Sequence, residues 1–187
     1  MKKTILNLML ISLVSIFIYS CGFSNVENRE ATVEDSPEAY LEQIVSIQAP
    51  VIQGIFDLNE SYNSENKDDI LDTYDELIET VTDANRKIQK LDCYEKNDCE
   101  LLDAAQNLFE YYEEIVMFDM KEMVELVYND YAEFTVEDYT RMEKKVANFT
   151  KNEEFLDAKF LAAQQLFASK HGFNLLENEF RDEIDAL

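Results

Sequence analysis

Glycine and proline are scarce: 3 Gly and 2 Pro among 187 residues. A sandwich or barrel needs a Gly- or Pro-bearing turn about every ten residues, so an all-β fold is excluded. Glycines do not cluster either, which removes the P-loop and the dinucleotide-binding fold. Histidine occurs once, at His171. No Ser-His-Asp or Cys-His arrangement gains support from it, because the neighbouring Gly172 marks a helix end, where a cation is favourable without any catalysis. The Glu-x-x-His pairs of di-iron bundles and the C-x-x-C-H of c-type haem are absent. The acids between Asn63 and Asp69 lack the central glycine of an EF-hand. Positive charge is also short, with 16 Lys and Arg against 40 Asp and Glu, a net charge of −24. Such a surface repels nucleic acid and anionic head groups, so DNA binding and electrostatic docking on a membrane are not expected.

What is present is apolar material, 47% of the residues, enough for one core. It begins with an odd segment. Lys2 and Lys3 precede the run Ile5 to Ile18, followed by Tyr19, Ser20 and Cys21. This is the three-part order of a secretory signal, and the run is shorter than the roughly 20 residues a transmembrane helix needs. Ile18-Tyr19-Ser20-Cys21 resembles the lipobox of bacterial lipoproteins, with Tyr19 bulkier than the usual occupant. The resemblance implies cleavage before Cys21 and attachment of lipid to that cysteine. Residues 1–20 are then a signal peptide and residues 21–35, polar and without periodicity, a lipidated flexible tether. Several acyl chains anchor stably, at about 0.8 kcal/mol per buried CH₂.

The remainder carries four apolar stripes at helical spacing. The first opens with Ser36 as cap and Pro37 in the favoured first position, and runs Tyr40, Ile44, Ile47, Val51, Ile55, Leu58, Tyr62. Pro50 and Gly54 within it predict a bend, or else a close helix approach or pocket wall. The second stripe is Ile70, Tyr74, Leu77, Val81, Ala84, Ile88, Leu91, a strict heptad pattern. The third is Leu102, Ala105, Phe109, Tyr112, Val116, Met120, Met123, Val127, widened by Leu101, Leu108 and Ile115. The fourth opens at Thr135 with Asp138 in capping-box register. It runs Tyr139, Met142, Val146, Phe149, Glu153, Leu156, Phe160, Ala163, Phe167, with one glutamate interrupting it. Its length predicts a break near Asn152 or a projecting end. Connections near 63–66, 92–98 and 129–135 are short enough to make neighbours antiparallel. The expected fold is all-α: an antiparallel up-down-up-down four-helix bundle over residues 36–172. Residues 173–187 are left as a tail or a short helix.

Cys93 and Cys99 fall between the second and third stripes. In a continuous helix they would stand about 9 Å apart, too far for a disulfide, but a turn there brings them within reach. An exported address permits oxidation. A Cys93–Cys99 disulfide is therefore expected; free thiols and half a metal site are the alternatives, and Cys-x₅-Cys without nearby histidine is poor zinc spacing.

Met117, Met120 and Met123, with Met142 on the next stripe, are soft ligands suited to Cu(I), but two of the three lie in the apolar stripe, where Met is common filler. Acid pairs such as Glu113/Glu114 and Glu153/Glu154 carry no glycosidase signal among 40 acids. Tyr111/Tyr112 and Tyr128/Tyr131 read as rings at the core edge, or as the lining of a partner groove. No catalytic residue, metal or cofactor is assigned. In outline the chain is similar to helical surface lipoproteins of Bacteroidota and spirochaetes. That layout supplies no function; the leading expectation is a non-enzymatic interaction module, lipid-anchored at the outer membrane and facing the periplasm or the exterior, that meets an envelope or host protein. The alternative is a ligand or metal carrier with a site between helices.

Overall fold

The computed structural model describes residues 36–62, 66–128 and 135–175. The leader, Cys21, residues 21–35 of the tether and all of the tail beyond residue 175 lie outside the described residues. Five α-helices follow in order: α1 Pro37–Ser61, α2 Lys67–Ile88, α3 Glu100–Glu114, α4 Lys121–Tyr128 and α5 Val136–His171. A π-helical segment, Ile115–Met120, joins α3 to α4 without a gap, so the helices make four rods. No β-strand occurs among the described residues; Glu95 and Asp98 form an isolated bridge in the α2–α3 connection. The protein is an all-α bundle, as the stripes predict.

Local chemistry sets the rod ends. The Ser36 side chain accepts from the Ala39 amide at 3.2 Å, ahead of Pro37. Asn66 accepts from the Asp68 amide at 3.1 Å at the start of α2. Thr135 and Asp138 complete a reciprocal capping box: each backbone amide donates to the other side chain, at 3.0 and 3.1 Å. These bonds satisfy amides that have no partner inside the helix. Gly172 ends α5 at φ 77°, the left-handed conformation that glycine adopts without strain.

Each rod packs on the next: α1 on α2, α2 on α3, and α3 on α5, with a thinner seam between α1 and α5. That order leaves α2 across the bundle from α5. Ile70, Tyr74, Leu77, Val81, Ala84 and Ile88 of the heptad stripe are all buried. So are Leu102, Ala105, Phe109, Tyr112, Val116, Met120 and Met123. Helix α1 continues through Pro50, and Gly54 marks a close approach, since a Cβ there would lie 2.9 Å from Leu77 Cδ1.

Two elements depart from the stripe pattern. The first is the π segment. A π turn widens the helix and displaces carbonyls from their usual partners. Tyr74 on α2 donates its hydroxyl to the Val116 carbonyl at 2.8 Å, supplying one such partner. Burial, then the nearby Asp75 and Glu125 carboxylates, pushes the Tyr74 hydroxyl up to about 12. The second is α5. It is unbroken from Val136 to His171, with no interruption at Asn152. Its last turn is tied down: His171 Nε2 and Lys170 Nζ reach Asp98 Oδ2 at 2.8 and 2.9 Å.

Candidate functional site

The helix that carries unusual chemistry is α5. A stripe followed strictly at seven-residue steps drifts about 20° per heptad from a straight helix. Over the 36 residues of α5 that drift matters. Leu156 and Ala163 were expected inside but are only half-buried, and Asp157 and Gln164, one position on, are buried in their stead. Glu153, the interruption in the stripe, is 1% exposed. Glu153, Asp157 and Gln164 thus lie on one inward ridge with Phe160 and Phe167.

Little compensates Glu153. Its Oε2 atom has no hydrogen-bond partner among the described residues, and neither has the buried Gln164 Nε2. Burial pushes the Glu153 carboxyl up to about 8, with the Asp157 and Glu154 carboxylates adding to the rise. At neutral pH it is a protonated, uncharged acid. The Tyr111 hydroxyl, close enough to feel the Glu153 charge, donates to the Phe149 carbonyl at 3.0 Å. Elsewhere in the core, fully buried Gln48 on α1 donates to the Tyr112 hydroxyl of α3 at 3.2 Å, a polar tie between the two helices. The interior polar set can hold a proton. Among the described residues no three His, Cys, Asp or Glu side chains come close enough to share a metal ion.

The outward side of α5 is inverted in the other sense. Phe155 and Leu166 are 59% and 54% exposed, and Ala158 and Ala162 lie exposed between them. Lys144, Lys151 and Lys159 share this side and are exposed too. At 100° per residue these lysines, Phe155, Ala162 and Leu166 fall within about 80° of the helix circumference. Between Lys144 and Lys170 no acid falls in that sector. The Lys159 ammonium sits 4.2 Å from the Phe155 ring centre. The other cations of α5 are taken up by acids: Arg141 by Glu122 and Asp138, Lys145 by Asp119 and Glu122, Lys170 by Asp98. Lys144, Lys151 and Lys159 pair with no carboxylate among the described residues. The remaining exposed large apolar side chains include Met117 and Phe118, which the π segment turns outward.

The residues singled out in the sequence are dispersed. Cys93 and Cys99 bring their sulfurs to disulfide distance with Cα atoms 4.7 Å apart, in the loop that Asp98 ties to α5. His171 stacks edge-on against Tyr94, in a ring cluster with Tyr40 and Phe167. Met120 and Met123 line a crevice of about 10 Å³ with Ile115, Asp119, Lys145, Val146 and Phe149, whereas Met117 faces outward. That volume holds about one water molecule. Among the described residues no helix is long and apolar enough to cross a membrane.

Compared with protein-family models, curated proteins and solved structures, the chain matches none.

Proposed function

We propose that the protein is a lipid-anchored, non-enzymatic interaction module of the cell envelope. Cleavage before Cys21 and acylation of that cysteine hold it at the outer membrane, and the acidic bundle presents α5 to its partner. The observation that carries this reading is the outward side of α5, which keeps Phe155 and Leu166 in water although the helix buries Glu153 and Asp157. An exposed apolar strip rimmed by polar groups is what an interaction surface requires. A carrier requires a cavity of roughly 300 Å³ or more with converging polar groups. The crevice beside Met120 and Met123, at about 10 Å³, is too small to be such a site.

Mass spectrometry of the mature protein, extracted from envelope membranes with detergent, tests the anchor. The expected species lacks residues 1–20 and carries lipid on Cys21. A retained Met1, or an unmodified Cys21 in the mature chain, overturns the reading.

A further inference from the structure

The geometry points to the outward side of α5 as a docking surface for an anionic lipid bilayer, on which the bundle lies with α5 parallel to the membrane plane. Lys144, Lys151 and Lys159 form its cationic row, and Phe155 and Leu166 its apolar contacts. From Lys144 to Leu166 the strip runs about 33 Å along a straight helix. The outer side of a helix is convex, which suits a plane of negative charge. Phe and Leu flanked by lysines form the usual composition of a helix that rests in a headgroup layer.

The net charge of −24 argues against this only if charge is spread evenly, and it is not. Helix α2 carries Asp68, Asp69, Asp72, Asp75, Glu76 and Glu79 on its exposed surface. It lies across the bundle from α5, about 14 Å away axis to axis for packed helices. The two solvent faces point apart, and the Debye length at physiological salt is about 8 Å. A membrane touching α5 therefore meets three unpaired lysines while the acidic face is screened. On α5 itself Glu153 and Asp157 are buried, the exposed Glu143 and Glu154 lie about 60° or more outside the lysine sector, and the exposed Glu137 stands within it about two turns before Lys144.

The docking face is the same outward side of α5 that carries the proposed function, so it rests on that reading of the strip and names an anionic bilayer as its occupant; it does not need the lipid on Cys21. It is tested on residues 22–187, since among the described residues the buried core side chains lie between Leu41 and Ala168. The probe is co-sedimentation with vesicles of phosphatidylglycerol and phosphatidylcholine, against vesicles of phosphatidylcholine alone, at low and high salt. Binding is expected on the anionic vesicles only, and it weakens as salt rises. Replacing Lys144, Lys151 and Lys159 together by Glu weakens it about 100-fold or more, since each lysine near the surface contributes roughly fivefold. A control triple, Lys67, Lys90 and Lys96 to Glu, changes net charge equally but leaves binding within about threefold. Far-ultraviolet circular dichroism verifies that both triples remain helical. No binding to anionic vesicles, or equal loss in both triples, overturns the proposal. So does an increase in mass on sedimentation that depends on the α5 lysines without vesicle binding, which assigns the face to a second copy. Binding here with an unmodified Cys21 in the mature protein leaves the docking face standing and removes the anchor.

Discussion

Replacing Glu153 by Gln isolates the most costly feature of the interior. The side chain is buried, its Oε2 lacks a partner, and its carboxyl rises from 4.5 to about 8. The acid is raised in the folded state, so the stability linked to it is fully present below pH 4.5 and is lost as pH climbs to about 8. Each pH unit in that window removes up to about 1.4 kcal/mol, a ceiling of about 5 kcal/mol across it, which water entry lowers. Glutamine copies the shape of the protonated acid but does not titrate. Between pH 5.5 and 8 the stability of the native chain should therefore fall by about 3 kcal/mol relative to the Glu153→Gln variant. For a chain of this size that is roughly 10 °C in melting temperature. Urea or thermal unfolding followed at 222 nm, at several pH values, measures the difference, and every other titrating group cancels between the two proteins. Adding Asp157→Asn removes the nearest like charge and should shrink the gap, because that carboxylate is part of what holds Glu153 up. Parallel profiles within about 0.5 kcal/mol over the whole range would refute the buried, neutral glutamic acid.

Other contacts of the bundle carry expectations of their own. Cys93→Ser should cost about 2 kcal/mol under oxidising conditions and almost nothing under reducing ones, as read by urea midpoints; equal midpoints in the two buffers would exclude a structural disulfide. Asp98→Ala leaves the half-buried His171 without its carboxylate and should cost about 1–3 kcal/mol, with faster amide exchange in the last turn of α5. Burial works to raise the Asp98 carboxyl, but hydrogen bonds from His171 and Lys170 outweigh it and hold the group below 3.8. Its contribution is thus present above the ordinary carboxylate range and lost as pH falls through the lowered value, and an acid-unfolding curve unchanged by Asp98→Asn would contradict this. Gly54→Ala should stay within about 1 kcal/mol, because the helix gains propensity while the far end of Leu77 yields; Gly54→Leu should cost about 1–3 kcal/mol by wedging α1 from α2. A thermal melt separates these two variants.

The fold was legible wherever local chemistry and packing agree. Ser36 with Pro37, Thr135 with Asp138, and Gly172 mark helix ends in the sequence and serve as caps in the structure. The heptad of α2 is buried from Ile70 to Ile88, because a regular apolar repeat leaves one register. The meeting of Cys93 and Cys99 follows from a turn that the neighbouring stripes require. The π segment was not legible. IVMFDM has no glycine or proline to announce an extra residue in the turn, and its partner, Tyr74, lies 42 residues away. The interior of α5 was half legible. Glu153 showed as an interruption in the stripe, but Asp157 and Gln164 gave no sign, since a reader tracing apolar positions passes to Leu156 and Ala163. Gln48 was hidden likewise beside Ile47, and its place inside depends on a tyrosine of another helix. Polar residues enter a core through distant partners or through register, and neither is written locally.

The two anomalies of α5 have one cause. A half-turn about its axis would put Phe155, Ala158, Ala162 and Leu166 inside and Glu153, Asp157 and Gln164 in water, the ordinary amphipathic arrangement. The same half-turn would expose Met142, Phe149, Phe160 and Phe167, all buried now. Burying a large apolar side chain is worth about 1.5–3 kcal/mol, so exposing those four loses more than burying Phe155 and Leu166 returns. It would also swing Lys170 and His171 off Asp98. The register is held at both ends of the helix, and the middle inherits its polar interior and apolar exterior from that constraint. Replacing Phe160 and Phe167 by Ala loosens one of those holds. Such a variant should lose several kcal/mol of stability. If register is the cause, it should also protect a cysteine placed at position 155 from thiol reagents more than the same cysteine in the native background. Equal labelling rates in the two backgrounds would mean that the exposure of Phe155 is set locally and owes nothing to the ends.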